Sequence, residues 1–364
     1  MTRQTTFIFT AAYILVGLGL VMTYSASAIY ADEVYHNAFH FLYRQIFYAV
    51  LGTTVLFLTA AVPITFWKQH ARTLILLAIL FLVIVFLPGI GKTAGGAQRW
   101  IRLGFFNFQP AEFSKIAVCL YLADYLSRKR KAIQKGSITI FIPPLLLIGL
   151  VCGLILIQPD LGSCVFIFLI VSILLFWSGI KMRYVMTVAL LIIPVFYFLV
   201  MRVPYRMSRV SAYLNPWDDP QGSGFQIIQS FLAYGLGGIK GVGLGQGMQK
   251  LFYLPSSYND FILAVIGEEL GLIGVLFVLF LYGVIFVSGI QMAESTEEDY
   301  CQLLIVALTL LIVVQALINM LVTTGLIPTK GLPLPFVSYG GTSLVFNLMA
   351  VGLLVSMDRH LRHT

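Results

Sequence analysis

The amino-acid sequence predicts an all-α, polytopic integral membrane protein with about ten transmembrane helices and one large extracytoplasmic loop, at residues 203–259. Hydrophobic residues make up 59% of the 364 positions and charged residues only 10%, and the mean hydropathy is +0.92. A soluble domain carries about 25% charged residues, so a chain of this composition cannot stay dispersed in water. Soluble folds are excluded, no nucleic-acid partner is expected, and residues 1–364 are interpreted as a single transmembrane domain.

Ten apolar runs approach or exceed the length of about 17–25 residues that crosses a bilayer as a helix. They lie at residues 7–28, 42–63, 72–88, 110–127, 138–158, 161–180, 184–202, 260–289, 301–324 and 342–358. The first run is longer than a signal peptide and lacks a small-residue cleavage site, so it counts as a span. The four cysteines lie far apart inside apolar runs, which indicates reduced thiols rather than a disulfide framework or a zinc site.

Basic residues in the short connectors predict the orientation, because cytoplasmic connectors are enriched in Lys and Arg. Twelve of the 23 basic residues fall on one side: Arg3, Lys68, Arg72, Arg128, Lys129, Arg130, Lys131, Lys135, Lys181, Arg183, Arg359 and Arg362. We therefore expect both termini in the cytoplasm, and we place the acidic connector 290–300 on the same side. The other 11 cations lie in or near the outward half, which indicates either an anionic partner outside or solvated loop charges.

The first outward segment with unusual residues is 91–115. Pro110 suits the first turn of a helix, so Glu112 and Lys115 are predicted to share one helix face near the outer end of span four. Ionisable groups at such depth are costly and usually face a functional cavity. A purely structural Glu–Lys pair between helices is the alternative.

Two further outward segments contain turns and glycines. The run 158–162 is predicted to form a tight turn in which Asp160 has a structural role. Glycine-dense backbone at 235–247, accompanied by Arg206 and Arg209, is of a kind that forms a nest of N–H groups around phosphate. The spacings do not match G-x-G-x-x-G or a Walker loop, so a nucleotide enzyme is not supported.

Asp260 opens span eight and is expected either to cap that helix or to place a carboxylate at the membrane surface. The two interpretations are compatible. Glu268 and Glu269 follow about 12–14 Å deeper, and we interpret them as structural or substrate-cavity groups. Gly267 and Gly271 form a G-x-x-x-G step that permits close helix contact.

Other patterns carry less chemistry. His36 and His40 are four residues apart, but no nearby residues complete a metal site. No Ser–His–Asp arrangement is visible. The uncharged segment 331–343 is predicted either to line a groove or to connect two spans.

These segments together resemble the SEDS family (shape, elongation, division and sporulation), which includes FtsW, RodA and SpoVE. The resemblance rests on the following motifs: Gly96-Ala-Gln-Arg99-Trp100-Ile101, Gln109-Pro-Ala-Glu112-Phe-Ser-Lys115, Gln158-Pro-Asp160-Leu-Gly162, Asn215-Pro-Trp217, Gly224-Phe-Gln226, Gln229-Ser230, Leu254-Pro255, Asp260-Phe-Ile262, Gly267-Glu-Glu-Leu-Gly271 and Pro333-Leu-Pro-Phe-Val-Ser338-Tyr-Gly-Gly-Thr-Ser343. The chain is more similar to the FtsW and SpoVE branch than to RodA. It departs from the family pattern at Asn259, where Thr is more usual, and at Asn107, which can be basic in relatives.

The resemblance implies a glycosyltransferase of the bacterial cytoplasmic membrane that polymerises peptidoglycan glycan strands from lipid II. Its implied partners are a class B penicillin-binding protein and other divisome or elongasome membrane proteins. Asp260 is the implied catalytic carboxylate, and we expect it to act as general base on the acceptor hydroxyl. The candidate substrate-binding residues are Lys115, Glu112, Arg99, Trp100, Arg102, Arg206, Arg209, Gln226, Gln229, Glu268, Glu269 and Ser338.

Five of these, Lys115, Arg99, Arg102, Arg206 and Arg209, are expected to stabilise the departing diphosphate. A divalent cation (Mg²⁺ or Mn²⁺) could share that work, but no metal-ligand motif identifies one. Two alternatives remain open on the sequence: a flippase that carries lipid II across the bilayer, and a non-catalytic scaffold for a penicillin-binding protein.

Overall fold

The computed structural model describes residues 1–94, 97–104, 106–135, 138–180, 201–249 and 257–363, together with the single positions 183, 186, 190, 194 and 197. The helices are α1 (Arg3–Tyr35), α2 (His40–Ala61), α3 (Ile64–Ile84), α4 (Pro110–Gln134), α5 (Ile142–Ile157), α6 (Leu161–Trp177), α7 (Pro204–Leu214), α8 (Phe225–Gly237), α9 (Ile262–Glu294), α10 (Asp299–Thr323) and α11 (Gly341–His363). Three strands, β1 (Gly91–Ala94), β2 (Ala97–Leu103) and β3 (Phe106–Phe108), form a small antiparallel sheet.

The predicted helical, polytopic membrane fold is confirmed. Within the described residues, seven helical segments are long and apolar enough to cross a bilayer, and α6 is a shorter apolar helix. The predicted span at 184–202 lies largely outside the described residues. Lipid-facing surfaces are recognisable on α2, α5 and α9, where Leu58, Leu146 and Phe280 are each more than 60% exposed.

The core of the bundle forms around α10, which is buried on most of its surface. It packs against α4 and α9, while α1 packs against α9 and α2 packs against α11. Glycine allows the closest of these approaches: a Cβ at Gly352 of α11 would lie 2.5 Å from the Leu56 carbonyl oxygen of α2. Such contacts replace the hydrophobic driving force that is missing between helices in lipid.

We call the end of the bundle that carries both termini the termini end. There the Thr2 backbone N–H donates to Asp358 at 2.8 Å, and Lys68 donates to Glu298 at 2.8 Å. These pairs bring the acidic segment 290–300 to the same end as the basic residues, as the sequence predicts. Which side of the membrane this end faces remains a prediction.

The connectors at this end are shorter than the sequence predicts, because the helices extend into them. Lys68 and Arg72 lie inside α3, because the chain turns at Val62-Pro63 and the helix begins again at Ile64. Likewise the basic run 128–131 belongs to α4. Hydropathy alone ends a span at its first charged residues, whereas helical hydrogen bonding continues and long cationic side chains reach the interface.

The two regions predicted as outward loops are partly regular. Residues 91–108 form the sheet, in which Ala97 and Ile101 are buried while Arg102 is exposed. The region 203–259 contains α7 and the apolar helix α8, which packs against α9. At 13 residues α8 is too short to span a bilayer, so a search for apolar runs of membrane-spanning length does not find it.

Helix α9 is interrupted at Gly271, whose φ of 67° and ψ of −164° are not helical. The glycine-rich segment after α8 fills the interruption: the Leu272 N–H donates to the Gly238 carbonyl, and the Val242 N–H donates to the Glu268 carbonyl. Irregular backbone at membrane depth requires such replacement partners. The predicted close contact at the G-x-x-x-G step is confirmed, since a Cβ at Gly237 would lie 1.9 Å from the Gly267 carbonyl oxygen.

Candidate active site around Asp260

Asp260 lies in a turn immediately before α9, at the end of the bundle opposite the termini, which we call the site end. The expectation that Asp260 caps the helix was wrong: α9 begins at Ile262, and Phe261 occupies the cap position. The turn is instead held by hydrogen bonds from the segment 331–343. Ser338 donates to the Asn259 carbonyl at 2.6 Å, and the Tyr339 N–H donates to the Tyr258 carbonyl at 2.9 Å.

The amide of Asn319 in α10 fixes the Asp260 backbone. Its Nδ2 donates to the Asp260 carbonyl and to the Leu332 carbonyl, each at 2.8 Å. Gly331 then passes directly beside the carboxylate, so close that a Cβ there would lie 3.0 Å from Oδ2 of Asp260. The segment 331–343 is therefore part of this site and not a plain connection.

The positive charges of two arginines act on the carboxylate, and both side chains are anchored to backbone oxygens. Arg99 of β2 donates from Nε to the Gln158 carbonyl at 3.1 Å and from a terminal nitrogen to the Pro159 carbonyl. Arg209 of α7 donates to the Thr329 carbonyl at 3.0 Å. The structure thus brings three predicted residues together from sequence positions 99, 209 and 260.

The Asp260 side chain is half-buried, and burial raises its pKa to about 6. The positive charges of Arg209 and Arg99 lower this pKa, and the negative charge of Asp160 raises it. At neutral pH the group is therefore mostly ionised, yet it is a stronger base than an ordinary aspartate. A base with a pKa near the working pH suits general base catalysis.

Asp160 has the structural role that the sequence predicts. It caps α6, with Oδ1 accepting from the Ser163 N–H at 3.1 Å and Oδ2 accepting from the Ser163 hydroxyl at 2.8 Å. Lys330 is half-buried nearby, and desolvation lowers the pKa of its ammonium while the charge of Asp160 opposes that effect. This adds a cation to the wall of the site.

Glu112 and Lys115 share a helix face as predicted, and both are buried. Lys115 Nζ lies 2.7 Å from Glu112 and 3.0 Å from Oε1 of Gln315. Gln315 in turn donates to the Pro333 carbonyl at 2.9 Å. The pair therefore connects α4 to the segment that passes Asp260, and its ammonium is enclosed by protein.

Glu268 and Glu269 are buried and hold the glycine-rich segment. Glu268 accepts from the Met248 N–H at 2.7 Å, and Glu269 accepts from the Ser25 hydroxyl at 2.7 Å and from the Gly245 N–H at 3.0 Å. The predicted nest of N–H groups thus has protein carboxylates among its acceptors. Lys250, a cation that follows the glycine-rich segment in the sequence, lies outside the described residues.

The remaining predicted residues are spread around this region. Arg102 is exposed on β2, opposite Asn107, and Trp100 is half-buried opposite Lys92. Three more predicted residues are also half-buried: Arg206 in α7 and Gln226 and Gln229 in α8. Ser338 is buried, and its hydroxyl accepts from the Leu334 N–H at 2.8 Å.

Sequence reasoning missed Asn319, Lys330 and Gly331 as parts of the site. A signal existed for the first, because Gln315 and Asn319 are polar residues four apart inside the apolar run 301–324. Gly331 is one of 32 glycines and carried no such signal. Among the described residues, no group of three potential metal ligands surrounds Asp260.

Comparisons with known proteins agree on one family. The family model for FtsW, RodA and SpoVE, described as "Cell cycle protein", matches residues 5–363. The chain is 45% identical to the probable peptidoglycan glycosyltransferase FtsW of Geobacter sulfurreducens, over 96% of this chain and 94% of that one. It is 40% identical to the stage V sporulation protein E of Bacillus subtilis, over 96% and 95% of the two chains.

Solved structures give the same result. A chain from a peptidoglycan synthase complex, described as showing structural coordination of polymerization and crosslinking, superposes with a TM-score of 0.80 at 29% identity, covering 98% of both chains. The rod shape determining protein RodA of Thermus thermophilus superposes with a TM-score of 0.69 at 25% identity, covering 97% and 95%. The chain belongs to the FtsW/RodA/SpoVE family, as its sequence motifs predict.

Proposed function

We propose that this protein is a peptidoglycan glycosyltransferase that polymerises lipid II at the outer face of the cytoplasmic membrane. The observation that carries the proposal is the half-buried Asp260 carboxylate, with a pKa of about 6, on which the charges of Arg99 and Arg209 act. One base and several cations are the groups that glycosyl transfer from a diphosphate donor requires. The names of the FtsW relatives support the same activity.

In the proposed reaction, Asp260 accepts the proton of the 4-hydroxyl of the acceptor sugar. That oxygen bonds to the anomeric carbon of the donor while the bond to the diphosphate breaks. Polyprenyl diphosphate leaves with the electron pair, and the guanidinium groups of Arg99 and Arg209 stabilise its charge. A diphosphate departs without protonation by a second carboxylate, in contrast to the leaving groups of glycosidases.

The other predicted residues take supporting places in this proposal. Arg102, Trp100, Arg206, Gln226 and Gln229 are proposed to contact the two substrates. Glu112 and Lys115 are proposed to position the segment 331–343 through Gln315. Glu268, Glu269 and Ser338 act as anchors of the loops around the site.

The test is polymerisation of lipid II by the purified chain, with Asp260→Asn compared with Asp32→Asn. Asp32 is an exposed carboxylate at the end of α1 and serves as the matched control. Loss of the base should lower the rate by about 10²–10⁴-fold. Retained polymerisation by a folded Asp260→Asn variant would refute the assignment of the base.

Partner and location follow from the same proposal. We propose that a class B penicillin-binding protein binds this chain and crosslinks its product, supported by the structural neighbour from a synthase complex. The orientation proposed is termini in the cytoplasm and Asp260 outside. Glycan made in detergent, where no second compartment exists, would exclude a pure flippase and a non-catalytic scaffold.

A further inference from the structure

A cluster of metal-ligand side chains lies at the termini end, far along α9 from Asp260. Glu298 caps the start of α10, Cys301 lies in its first turn, and His360 comes from the last turns of α11. One ligand atom from each lies within 4.8 Å of the other two. The set joins two helices that are distant in sequence.

Two of the three distances between the ligand atoms match the edges of a tetrahedral zinc site, and the third, from His360 to Cys301, is within 4.8 Å. Glu298 Oε2 lies 3.2 Å from His360 Nε2 and 3.5 Å from Cys301 Sγ. With ordinary Zn–O, Zn–N and Zn–S bond lengths, tetrahedral angles place oxygen about 3.4 Å from nitrogen and about 3.5 Å from sulfur. The carboxylate of Glu298 therefore already lies at ligand spacing from both the imidazole and the thiol.

A hydrogen bond from Lys68 already orients the carboxylate of Glu298. Its Oε1 accepts from Lys68 Nζ at 2.8 Å, so Oε2 is the oxygen that faces the imidazole and the thiol. A hydrogen bond to a ligating carboxylate from outside the metal site fixes its direction in many metal centres. The mixed oxygen, nitrogen and sulfur set favours Zn²⁺ over Mg²⁺ or Ca²⁺.

We propose that Glu298, Cys301 and His360 form a binding site for Zn²⁺, with water as a fourth ligand. Binding deprotonates the Cys301 thiol, and that proton is released to solvent. The ion would fasten the start of α10 to the end of α11, beside Lys68 of α3. This site is independent of the proposed transferase chemistry.

The test titrates Co²⁺, a coloured substitute for Zn²⁺, into the full chain in detergent after treatment with a chelator. Wild-type protein should bind one ion per chain and show thiolate-to-cobalt charge-transfer absorption. Cys301→Ser should lose that absorption, whereas Cys119→Ser, which changes a buried cysteine elsewhere in the core, should keep it.

A second pair of variants covers the case in which Cys301→Ser does not fold. His360→Ala changes a partly exposed residue and should weaken Co²⁺ binding by at least about tenfold. His70→Ala, an exposed residue of α3, should not. The proposal is overturned by absence of one-to-one binding, by absorption that survives in Cys301→Ser, or by equal affinity in His360→Ala, which would indicate an adventitious ion only.

Discussion

The ion-paired side chains at the termini end and the arginine on β2 near Asp260 are held by different kinds of partner. At the termini end charged side chains pair with each other, as Lys68 does with Glu298 and Arg128 with Asp124. At the site end Lys115 and Glu112 also form a pair, but Arg99 donates its hydrogen bonds to backbone carbonyl oxygens. A carbonyl orients a guanidinium without cancelling its charge, so positive potential remains beside Asp260.

This difference separates charges that hold helices from charges that act on a substrate. An ion pair satisfies both partners and leaves little field beyond itself. An arginine fixed by neutral acceptors keeps its charge for an anion and costs little reorganisation when that anion forms. The comparison predicts that substitution of Arg99 affects catalysis and that substitution of the ion-paired residues at the termini end affects stability.

The largest effect after loss of Asp260 itself is expected for Arg99→Ala. Removing one group that stabilises transition-state charge typically lowers kcat by about 10²–10³-fold. The measurement is the initial rate of lipid II polymerisation. Lys92→Ala removes an exposed cation from the neighbouring strand β1 and should leave the rate unchanged. Equal losses in both variants would show that only overall positive charge matters.

A smaller effect is expected for Gly331→Ala, which crowds the carboxylate. The new methyl group would lie 3.0 Å from Oδ2 of Asp260, tighter than an ordinary contact. Displacement of a catalytic group by a fraction of an ångström should cost about 10–10²-fold in kcat.

Gly340→Ala is the matched control for Gly331→Ala, because its Cβ would meet neighbours only at 3.6 Å or beyond. Both variants should retain nearly the same unfolding midpoint. Normal kcat in Gly331→Ala would mean that the Asp260 carboxylate tolerates movement, and the geometric assignment would fail.

The pH dependence provides a third test of the site end. The pKa of Asp260 is raised to about 6, so the basic form is lost as the pH falls through that value. On the acidic limb of the pH–rate profile, the rate should decline about tenfold per pH unit below pH 6. Above pH 7 the ionisation of Asp260 should no longer change the rate. Because Arg209 lowers this pKa, Arg209→Gln should move the limb to higher pH. A limb at pH 4 in wild type would contradict the burial of this group.

Much of the fold could be predicted from the sequence, because lipid-facing helices require long apolar runs. The small sheet and α8 could not, since each is shorter than a membrane span and lies among glycines. Asp260 and Arg99 were recognised through motifs that resemble a family. Asn319 contacts the Asp260 carbonyl and Gly331 lies against the Asp260 carboxylate. Both contacts join residues distant in sequence, and no local pattern encodes them.

The smallest effect is expected at the termini end, for Arg130→Gln. Arg130 pairs with Asp299, and both side chains are substantially exposed, at 51% and 29%. Solvent screens such a pair, so its loss should lower the free energy of unfolding by less than about 1 kcal/mol and should matter less at high salt. The rate of polymerisation should stay at the wild-type value, because no charge near Asp260 changes. A loss of kcat without a loss of stability would show that the two ends are coupled, and the division of charges into holding and acting groups would then be wrong.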